Sequence, residues 1–179
     1  MIQRPLSAAP PLPFLQNGVA QIAIVVPDLE HAVEGYWRLF GIGPWHFYTY
    51  GRPLLKHMTY YGQPTDHRFR IALAYAGPTR IELIELQEGE TIYADFVREH
   101  GYGVQHLGLL VEDMQVALEQ ARTAGLRVIM EGAGFGPDGD GYYAYLDTED
   151  LLGVTLELIE RPKRRHPPEK IYPSEELSK

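Results

Sequence analysis

Four polar side chains at corresponding places in two halves of the chain could do chemistry together: Gln21, Glu82, His106 and Glu157. One imidazole, one amide oxygen and two carboxylates form a donor set that suits a divalent metal with positions left for water or substrate. A carboxylate in the middle of an apolar strand is unfavourable unless it is paired, protonated or bound to a metal. The pattern is therefore compatible with a metal site that has positions open to a ligand.

The same residues also have a purely structural interpretation. Gln21 and His106 could be hydrogen-bonded core residues, and the two glutamates could form ion pairs with arginines. The candidate partners are Arg70, Arg80 and Arg127. Periodicity alone leaves both interpretations open.

The correspondence between the two halves rests on a sequence repeat. The tetrapeptide Glu-Leu-Ile-Glu occurs at 82–85 and again at 157–160, and the segment 19–28 aligns with 104–113. The tetrapeptides are 75 residues apart and the segments 85, so the first copy carries an insertion, for which the turn-rich stretch 51–66 is the candidate. Such internal similarity predicts one supersecondary unit used twice.

Strand alternation predicts open space beside the candidate ligands. Because successive side chains of a strand point to opposite faces, Gln21 shares a face with Ala23, and His106 shares a face with Gly108. Each polar residue thus has a very small neighbour two positions along the strand. Space next to a fixed polar group is what a ligand site requires.

Hydrophobic periodicity and turn residues predict a βαβββ unit in each half, with one extra strand or loop in the first. Asp28 is a good N-cap for the first helix, which ends at Gly41. The predicted helices cover 28–40, 92–99 and 114–124, and the predicted strands cover 19–26, 45–50, 54–61, 69–75, 80–86, 104–111, 127–130, 142–146 and 154–160. The glycine-rich segment 132–141 is interpreted as a mobile flap over a site.

The length of 179 residues and the hydrophobic content of 45% indicate one domain, or two small halves that share a core. The expected organisation has five segments: an N-terminal arm at 1–17, a first module at 18–88, a linking helix at 89–103, a second module at 104–163, and a flexible charged tail at 164–179. The tail is rich in proline and charge, which argues against independent order.

Composition excludes several classes of function. A formal charge of -8 disfavours a nucleic-acid partner. The absence of cysteine removes disulfides, thiolate catalysis and cysteine-type zinc sites. No secretory signal or membrane-spanning run is recognisable, so we expect a soluble, cytoplasmic protein without a membrane partner. Exposed sheet edges predict a homodimer.

Over about residues 19–163 the chain resembles the vicinal oxygen chelate superfamily of glyoxalases, bleomycin resistance proteins and dioxygenases. Within that superfamily it is most similar to the methylmalonyl-CoA epimerase family. The residues that carry the similarity are Thr91-Ile-Tyr-Ala-Asp-Phe-Val, Gly103-Val-Gln-His-Leu-Gly and Gly153-Val-Thr-Leu-Glu-Leu-Ile-Glu-Arg-Pro-Lys, together with the helix start at Asp28-Leu29. The resemblance implies an α+β fold in which two tandem βαβββ modules form a cupped, incompletely closed mixed sheet barrel around a metal.

Zinc-type glyoxalase I uses the same combination of Gln, Glu, His and Glu ligands. The resemblance therefore implies that Gln21, Glu82, His106 and Glu157 bind a divalent ion, which could be Zn, Co, Ni, Mn or Mg. In these enzymes the metal polarises a carbonyl while a neighbouring Glu moves a proton on the adjacent carbon. Glu157 is the expected base, and Glu82 is the second candidate.

The resemblance does not select one reaction. The carboxylate that faces the metal-bound Glu in epimerases falls at Arg70, so a two-base epimerisation lacks its expected second base. The glutathione-binding groups of glyoxalase I fall at Val25, Leu86 and Tyr102, so glutathione is an unfavourable substrate. Gln21 argues against an extradiol dioxygenase, which needs two His and one carboxylate on iron. The expected function is a metal-dependent isomerase or lyase of epimerase-like or glyoxalase-like type. The alternative is a metal-free small-molecule or antibiotic binding protein on the same fold.

A bulky small-molecule substrate, acyl-CoA-like or an aromatic ketone, would need an aromatic lining. The predicted pocket residues are Trp45, Tyr48, Tyr60, Arg70, Tyr143 and Tyr145. Ordinary sheet packing is the competing interpretation, and it must hold for about half of the aromatic residues because strand faces alternate.

Overall fold

The structure is a computed structural model that describes residues 10–174, and this part of the chain contains eleven strands and four helices. The strands are β1 (Gln21–Val25), β2 (Trp45–Tyr50), β3 (His57–Tyr60), β4 (Gln63–Pro64), β5 (Arg68–Ala76), β6 (Thr79–Glu88), β7 (Gly103–Leu110), β8 (Val128–Phe135), β9 (Gly141–Leu146), β10 (Thr155–Glu160) and β11 (Lys170–Tyr172). The helices are α1 (Leu29–Phe40), α2 (Ile92–His100), α3 (Met114–Thr123) and α4 (Glu149–Leu152).

All eleven strands belong to one curled mixed sheet that forms a half-barrel. Their order is β11-β2-β5-β6-β1-β7-β10-β9-β8-β3-β4. The order β2-β5-β6-β1 in the first module corresponds to β8-β9-β10-β7 in the second, and the modules meet where β1 pairs antiparallel with β7. The predicted α+β architecture is confirmed, and both modules of one chain share one sheet.

The helices begin where the sequence predicts, for a visible physical reason. The side chain of Asp28 accepts a hydrogen bond from the His31 backbone N–H at 2.8 Å, and Asp113 accepts one from Val116 at 3.0 Å. Each aspartate thereby satisfies a donor that the first turn leaves unpaired. Within the described residues, no helix combines the length and the apolar character that crossing a bilayer requires.

The last glutamate of each repeated tetrapeptide binds the helix of its own module. Glu85 on β6 accepts a hydrogen bond from the Leu29 backbone N–H at 2.8 Å, and Glu160 at the end of β10 accepts one from the Met114 N–H at 2.7 Å. A carboxylate at a helix N-terminus is favoured by the helix dipole as well as by the hydrogen bond. The tetrapeptide thus anchors each outer helix to the sheet.

Three apolar clusters hold the layers together. One lies between the first module and α1, and includes Leu29, Val33 and Leu83. A second lies between the second module and α3. The third cluster fills the inside of the half-barrel, where the linking helix α2 contributes the buried residues Ile92 and Tyr93. The inner cluster therefore leaves only a small polar region at the junction of the modules.

The loop in the glycine-rich segment is shorter than the flap that the sequence predicts at 132–141. Strand β8 continues to Phe135, so only 136–140 form the loop before β9. Gly132 lies within β8, where an added Cβ would come within 2.3 Å of the Tyr143 hydroxyl. The glycine at 132 therefore serves close packing against an aromatic ring, not loop mobility.

The end of the chain also differs from the sequence expectation of a flexible tail from residue 164. In the described part of that segment, β11 pairs antiparallel with β2, whose edge offers unpaired backbone groups. The Glu169 carboxylate accepts hydrogen bonds from the backbone N–H and the hydroxyl of Thr49 at 2.8 and 2.9 Å. Residues 1–9 of the predicted arm and 175–179 of the predicted tail lie outside the described residues.

The contact between Glu160 and α3 generates a stability prediction. Replacing Glu160 by Ala removes a charge-assisted hydrogen bond at the helix N-terminus, so the free energy of unfolding should fall by about 1–2 kcal/mol. Urea denaturation of the purified chain measures this change. The control is Glu119→Gln, which alters an exposed ion pair on α3 and should leave the midpoint unchanged. An equally small effect at both positions would contradict the proposed anchoring role.

Candidate metal centre

Strand register brings Glu82 and His106 to either side of Ala23. Ala23 on β1 pairs with Glu82 on β6 and, across the module junction, with His106 on β7. The three residues form one row across three adjacent strands, and alternation directs all three side chains to the inner face. The alanine methyl group is the only side chain between the imidazole and the carboxylate, so the two polar groups can approach each other.

A second row places Gln21 and Glu157 on either side of Gly108. Gly108 on β7 pairs with Gln21 on β1 and with Glu157 on β10. A Cβ at position 108 would lie 2.8 Å from the Gln21 Cβ and 3.1 Å from a Glu157 carboxylate oxygen. The glycine therefore lets the Gln21 and Glu157 side chains lie close to the β7 backbone, in space that any larger residue would fill.

The four side chains converge and are withdrawn from solvent. The His106 Nε2 atom lies 3.2 Å from Glu157 Oε2 and 3.4 Å from Glu82 Oε2. The Gln21 amide Nε2 donates to the same two carboxylate oxygens, at 2.8 Å to Glu82 and 3.0 Å to Glu157. Their exposed fractions range from 0% for His106 to 8% for Glu82. Within residues 10–174 neither glutamate forms an ion pair with an arginine, so the ion-pair interpretation does not describe this site.

His106 is oriented by its neighbour in the sequence. Its Nδ1 atom lies 2.7 Å from the Gln105 side-chain oxygen, so Nδ1 carries a hydrogen that it donates, and Nε2 faces the carboxylates. Adjacent strand residues normally point apart, but a β-bulge interrupts the pairing of β1 with β7 between Ala23 and Ile24 and leaves Gln105 without a register partner. The bulge allows Gln105 to accept a hydrogen bond from Nδ1, the ring nitrogen that points away from the carboxylates. Histidines that bind metals are commonly oriented by such a partner.

The electrostatics of the cluster centre on His106. Burial alone opposes the charged ring, but the carboxylates of Glu157 and Glu82 outweigh burial and raise the pKa of His106 to about 9. Two buried negative charges thus attract either a proton on the imidazole or another cation. A divalent ion bound by the carboxylates and the neutral ring would provide the same compensation.

The residues present fit a divalent cation. Donor atoms of Glu82, His106 and Glu157 all lie within 4.8 Å of one another. Two carboxylates and one imidazole form a ligand set used by Zn, Mn, Fe and related ions, and three protein ligands leave positions for water and substrate. The close approach of the side chains at Gly108 and the orientation of His106 by Gln105 are features that such a site needs.

The predicted fourth ligand, Gln21, joins the cluster through its nitrogen. Its Oε1 atom accepts a hydrogen bond from the Arg80 Nε–H at 2.6 Å, which directs the amide NH₂ group at the carboxylates. The expectation that the Gln21 oxygen is a ligand therefore needs correction, because Arg80 is a donor without acceptor capacity and requires that oxygen. As placed, Gln21 links the two glutamates.

The two glutamates differ in their surroundings. The hydroxyl of Tyr145 donates to Glu157 Oε1 at 2.8 Å and also contacts the hydroxyl of Tyr93. Both oxygens of Glu157 are thus hydrogen bonded, whereas Oε1 of Glu82 has no such partner among the described residues. Burial raises the pKa of the Tyr145 hydroxyl well above its ordinary value, so this group stays a donor.

The inner cavity beside the cluster contains two of the predicted pocket residues. Tyr143 and Tyr145 line it, together with Glu82 and Glu157, and these glutamates are the only carboxylates in that lining among residues 10–174. The cavity volume is about 30 Å³. Tyr48 lies farther out and lines the adjoining clefts.

Three residues predicted to line the pocket lie elsewhere. Trp45 is buried under α1 and donates its indole N–H to the Ile42 carbonyl oxygen. Tyr60 donates to Asp95 on α2, and Arg70 lies on the outer face, where it pairs with glutamates of α1 and β6. The physical reason for Trp45 and Arg70 is alternation, because both occupy the outward positions of their strands and the sequence does not reveal which face is inner.

Sequence reasoning missed the site roles of Arg80 and Gln105. Arg80 precedes Glu82 by two positions, so strand alternation places both on one face, and this signal could have identified Arg80 as a neighbour of the site. No sequence signal marks Gln105, because its role depends on a bulge in the pairing of two distant strands.

Comparisons with known proteins agree with this geometry. The family model described as the Glyoxalase/Bleomycin resistance protein/Dioxygenase superfamily matches residues 20–145. The ethylmalonyl-CoA/methylmalonyl-CoA epimerase of Cereibacter sphaeroides is 29% identical over 139 residues, which are 76% of this chain and 92% of that protein. The mitochondrial methylmalonyl-CoA epimerase of Bos taurus is 25% identical over 138 residues, which are 76% of this chain and 70% of that protein.

Solved structures show the same relationship. The crystal structure of methylmalonyl-CoA epimerase from Mycobacterium tuberculosis has a TM-score of 0.57 and 26% sequence identity, and the match covers 82% of this chain and 89% of that one. The family model covers well over half of the chain, and the half-barrel agrees with it. The chain therefore belongs to the glyoxalase/bleomycin resistance protein/dioxygenase superfamily.

Proposed function

We propose that the protein is a metal-dependent isomerase or lyase that transfers a proton on the carbon next to a carbonyl group of a small molecule. The observation that carries the proposal is the convergence of Glu82, His106 and Glu157 at a buried position, where Gly108 allows the side chains to lie close together. Similarity to proteins named as methylmalonyl-CoA epimerases supports this reaction class.

Glu82, His106 and Glu157 would hold the divalent ion, which we expect to be Zn, Co, Ni, Mn or Mg. When bound, such an ion supplies Lewis acidity, which makes the hydrogen next to a carbonyl easier to remove. Gln105 fixes the ring of His106, and the aromatic lining of the inner cavity limits the access of water.

Glu157 is the proposed base. Its Oε1 atom is held by the Tyr145 hydroxyl, so the carboxylate has a defined orientation toward the inner cavity. A base must lie within hydrogen-bond reach of the proton it removes, and a fixed carboxylate meets that requirement with little loss of entropy. Glu82 is the second candidate, because its Oε1 is available to a ligand.

The lining of the inner cavity favours one-base chemistry. A two-base epimerisation needs a second acid or base on the opposite side of the reacting carbon. Within the described residues, Glu82 and Glu157 are the only carboxylates of that cavity, and both belong to the metal cluster. Isomerisation or elimination through a single glutamate is therefore better supported than the two-base reaction.

A metal-free binding protein is the second candidate function, and one observation favours it. The hydrogen bonds from Gln21 and Tyr145, together with a protonated His106, already compensate the two glutamates. A cup of this kind could bind a small molecule or an antibiotic without chemistry.

The sequence-based expectations about assembly and environment stay predictions. Strands β11 and β4 are the edges of the sheet, and an edge strand can pair with a second copy of the chain. We therefore propose that the protein forms a homodimer. From the composition we also propose that it resides in the cytoplasm and binds a small molecule, not a nucleic acid.

Metal removal separates the two candidate functions. After treatment with a chelator, adding Zn, Co, Ni, Mn or Mg at about a hundred times its dissociation constant should raise Tm by about 5–10 °C, since the ion binds only the folded state. Elemental analysis of the gently purified chain should find the ion beforehand. A chain that contains no divalent metal and shows no Tm shift with any of the five would favour the binding protein.

Substituting Glu157 tests the proposed base. Glu157→Gln keeps an oxygen ligand but removes the proton acceptor, so turnover should fall by about a hundredfold or more while the metal content is retained. The assay follows exchange of the α-hydrogen of methylmalonyl-CoA with deuterated water by NMR. Glu82→Gln is the comparison. If Glu157→Gln retains activity and Glu82→Gln loses it, Glu82 is the base.

Replacing Gly108 by Ala should weaken metal binding. In Gly108→Ala the new methyl group would contact Gln21 and a Glu157 oxygen, so the affinity for the ion should fall by about tenfold or more. The matched control on the same strand is Gly103→Ala, whose added Cβ meets nothing within 4 Å. Titration calorimetry on both variants measures their affinities for the ion, and equal affinities would show that metal binding does not require a glycine at position 108.

A further inference from the structure

A cleft of about 400 Å³ lies next to the inner cavity, and three arginines line it. The remaining lining residues include His46, Tyr48 and Tyr75. Arg80 and Arg165 line both the cleft and the inner cavity. Because the inner cavity holds only about 30 Å³, the larger part of any substrate must occupy the cleft.

Arg80 connects the cleft to the metal centre. Its side chain is only 5% exposed, although it is positively charged at neutral pH. Its Nε–H binds the Gln21 oxygen, and no hydrogen bond to another described residue engages its two Nη groups. The Nη groups are not sealed from solvent, so their donors face the cleft, where a bound anion could accept them.

Arg161 follows directly after β10 and Arg165 lies four residues later, in a segment that leads from β10 to β11 and lines the inner cavity and the cleft. The segment is held at its start by Arg164, which pairs with Asp138 in the loop between β8 and β9. At its far end β11 pairs with β2. Arg165 is therefore held beside the inner cavity, which it lines together with Pro162.

The three arginines lack acidic partners. None of Arg80, Arg161 and Arg165 forms an ion pair with another residue in the range 10–174, although the whole chain carries a net charge of -8. Burial lowers the pKa of Arg80, the charges of Glu82 and Glu157 raise it, and the charges of Arg165 and Arg161 lower it. Three like charges at one cleft repel one another, and a bound anion would relieve that repulsion.

We infer that Arg80, Arg161 and Arg165 form a binding site for an anionic group, a carboxylate or a phosphate, that the substrate carries beside its reacting carbonyl. Planar guanidinium groups match the geometry of both anions. The inference rests on the proposed function only in assigning the reacting end of the substrate to the inner cavity. It restricts the substrate to anionic carbonyl compounds and excludes neutral ketones.

The position of Arg80 gives the site a second consequence. The same guanidinium would bind the anion through Nη and hold Gln21 through Nε, and Gln21 contacts both glutamates of the metal cluster. An anion in the cleft would thus lie one side chain away from the proposed base. This arrangement would align the substrate before proton transfer.

The experiment measures anion binding without turnover. The full chain, as isolated and after chelation, is titrated with inorganic phosphate and separately with malonate at constant ionic strength, and Tm is recorded. We expect Tm to rise with at least one anion in both preparations. A rise with phosphate alone assigns a phosphoryl group, a rise with malonate alone assigns a carboxylate, and a rise with both reflects their shared recognition by arginine.

The decisive variant is the double substitution Arg161→Gln with Arg165→Gln, which leaves the buried Arg80 in place. The double variant should need an anion concentration at least about tenfold higher for the same rise in Tm. Its Tm without anion should equal or exceed that of the parent chain, because fewer like charges repel one another at the cleft. The control is Arg122→Gln on α3, which removes one exposed arginine away from the cleft and should match the parent.

Three results would overturn the inference: no rise in Tm with either anion, a rise that disappears on chelation, or an unchanged concentration dependence in the double variant. Each result is independent of the proposed reaction, because no turnover is measured. A chain that binds the anion but exchanges no α-hydrogen would instead contradict the proposed function and leave the anion site in place.

Discussion

The burial of two carboxylates beside one imidazole is the constraint on which the rest of the structure depends. Removing Glu82 and Glu157 from water is unfavourable by several kcal/mol each, so the fold must surround them with positive charge and hydrogen-bond donors. His106, Gln21 and Tyr145 supply that compensation, and a divalent ion would add to it. The small residues beneath them are part of the same requirement, because a larger side chain would occupy the position where the charges meet.

Duplication explains how a short chain builds this centre economically. In each Glu-Leu-Ile-Glu repeat the two glutamates are three positions apart, so alternation sends them to opposite faces of the sheet. The first glutamate reaches the inner site, and the second binds the N-terminus of the outer helix. One tetrapeptide thus couples the buried polar cluster to the helical layer, and a shift of a single residue would disrupt both contacts.

The two modules are not equivalent where function is decided. Glu157 pairs in register with Tyr145, whereas the corresponding Glu82 pairs with Leu73, so only one glutamate receives a hydroxyl donor from the next strand. The first module instead contributes Arg80, whose counterpart in the second module is Thr155. The Tyr145 hydroxyl thereby orients Glu157, whereas the first module places the positive charge of Arg80 at the cleft. The polar cluster is therefore asymmetric although the fold is built from two similar modules.

Local rules were sufficient for much of this protein. The period of two along the strands, the aspartate caps and the internal repeat predict the βαβββ units, the confirmed α+β fold and the four side chains that the structure brings together. These features depend on neighbours in sequence or on a symmetry that the sequence itself displays. The inward or outward direction of Trp45 and Arg70 is different, because alternation defines two faces without naming the inner one.

Only the tertiary structure decided the remaining features. The amide orientation of Gln21 depends on Arg80 from a neighbouring strand, and the support of His106 by Gln105 depends on a bulge between distant segments. The basic end of the chain lines the inner cavity and the cleft because β2 offers it an edge to pair with. Each outcome depends on contacts between residues far apart in the sequence, and such contacts exist only once the sheet has closed around them.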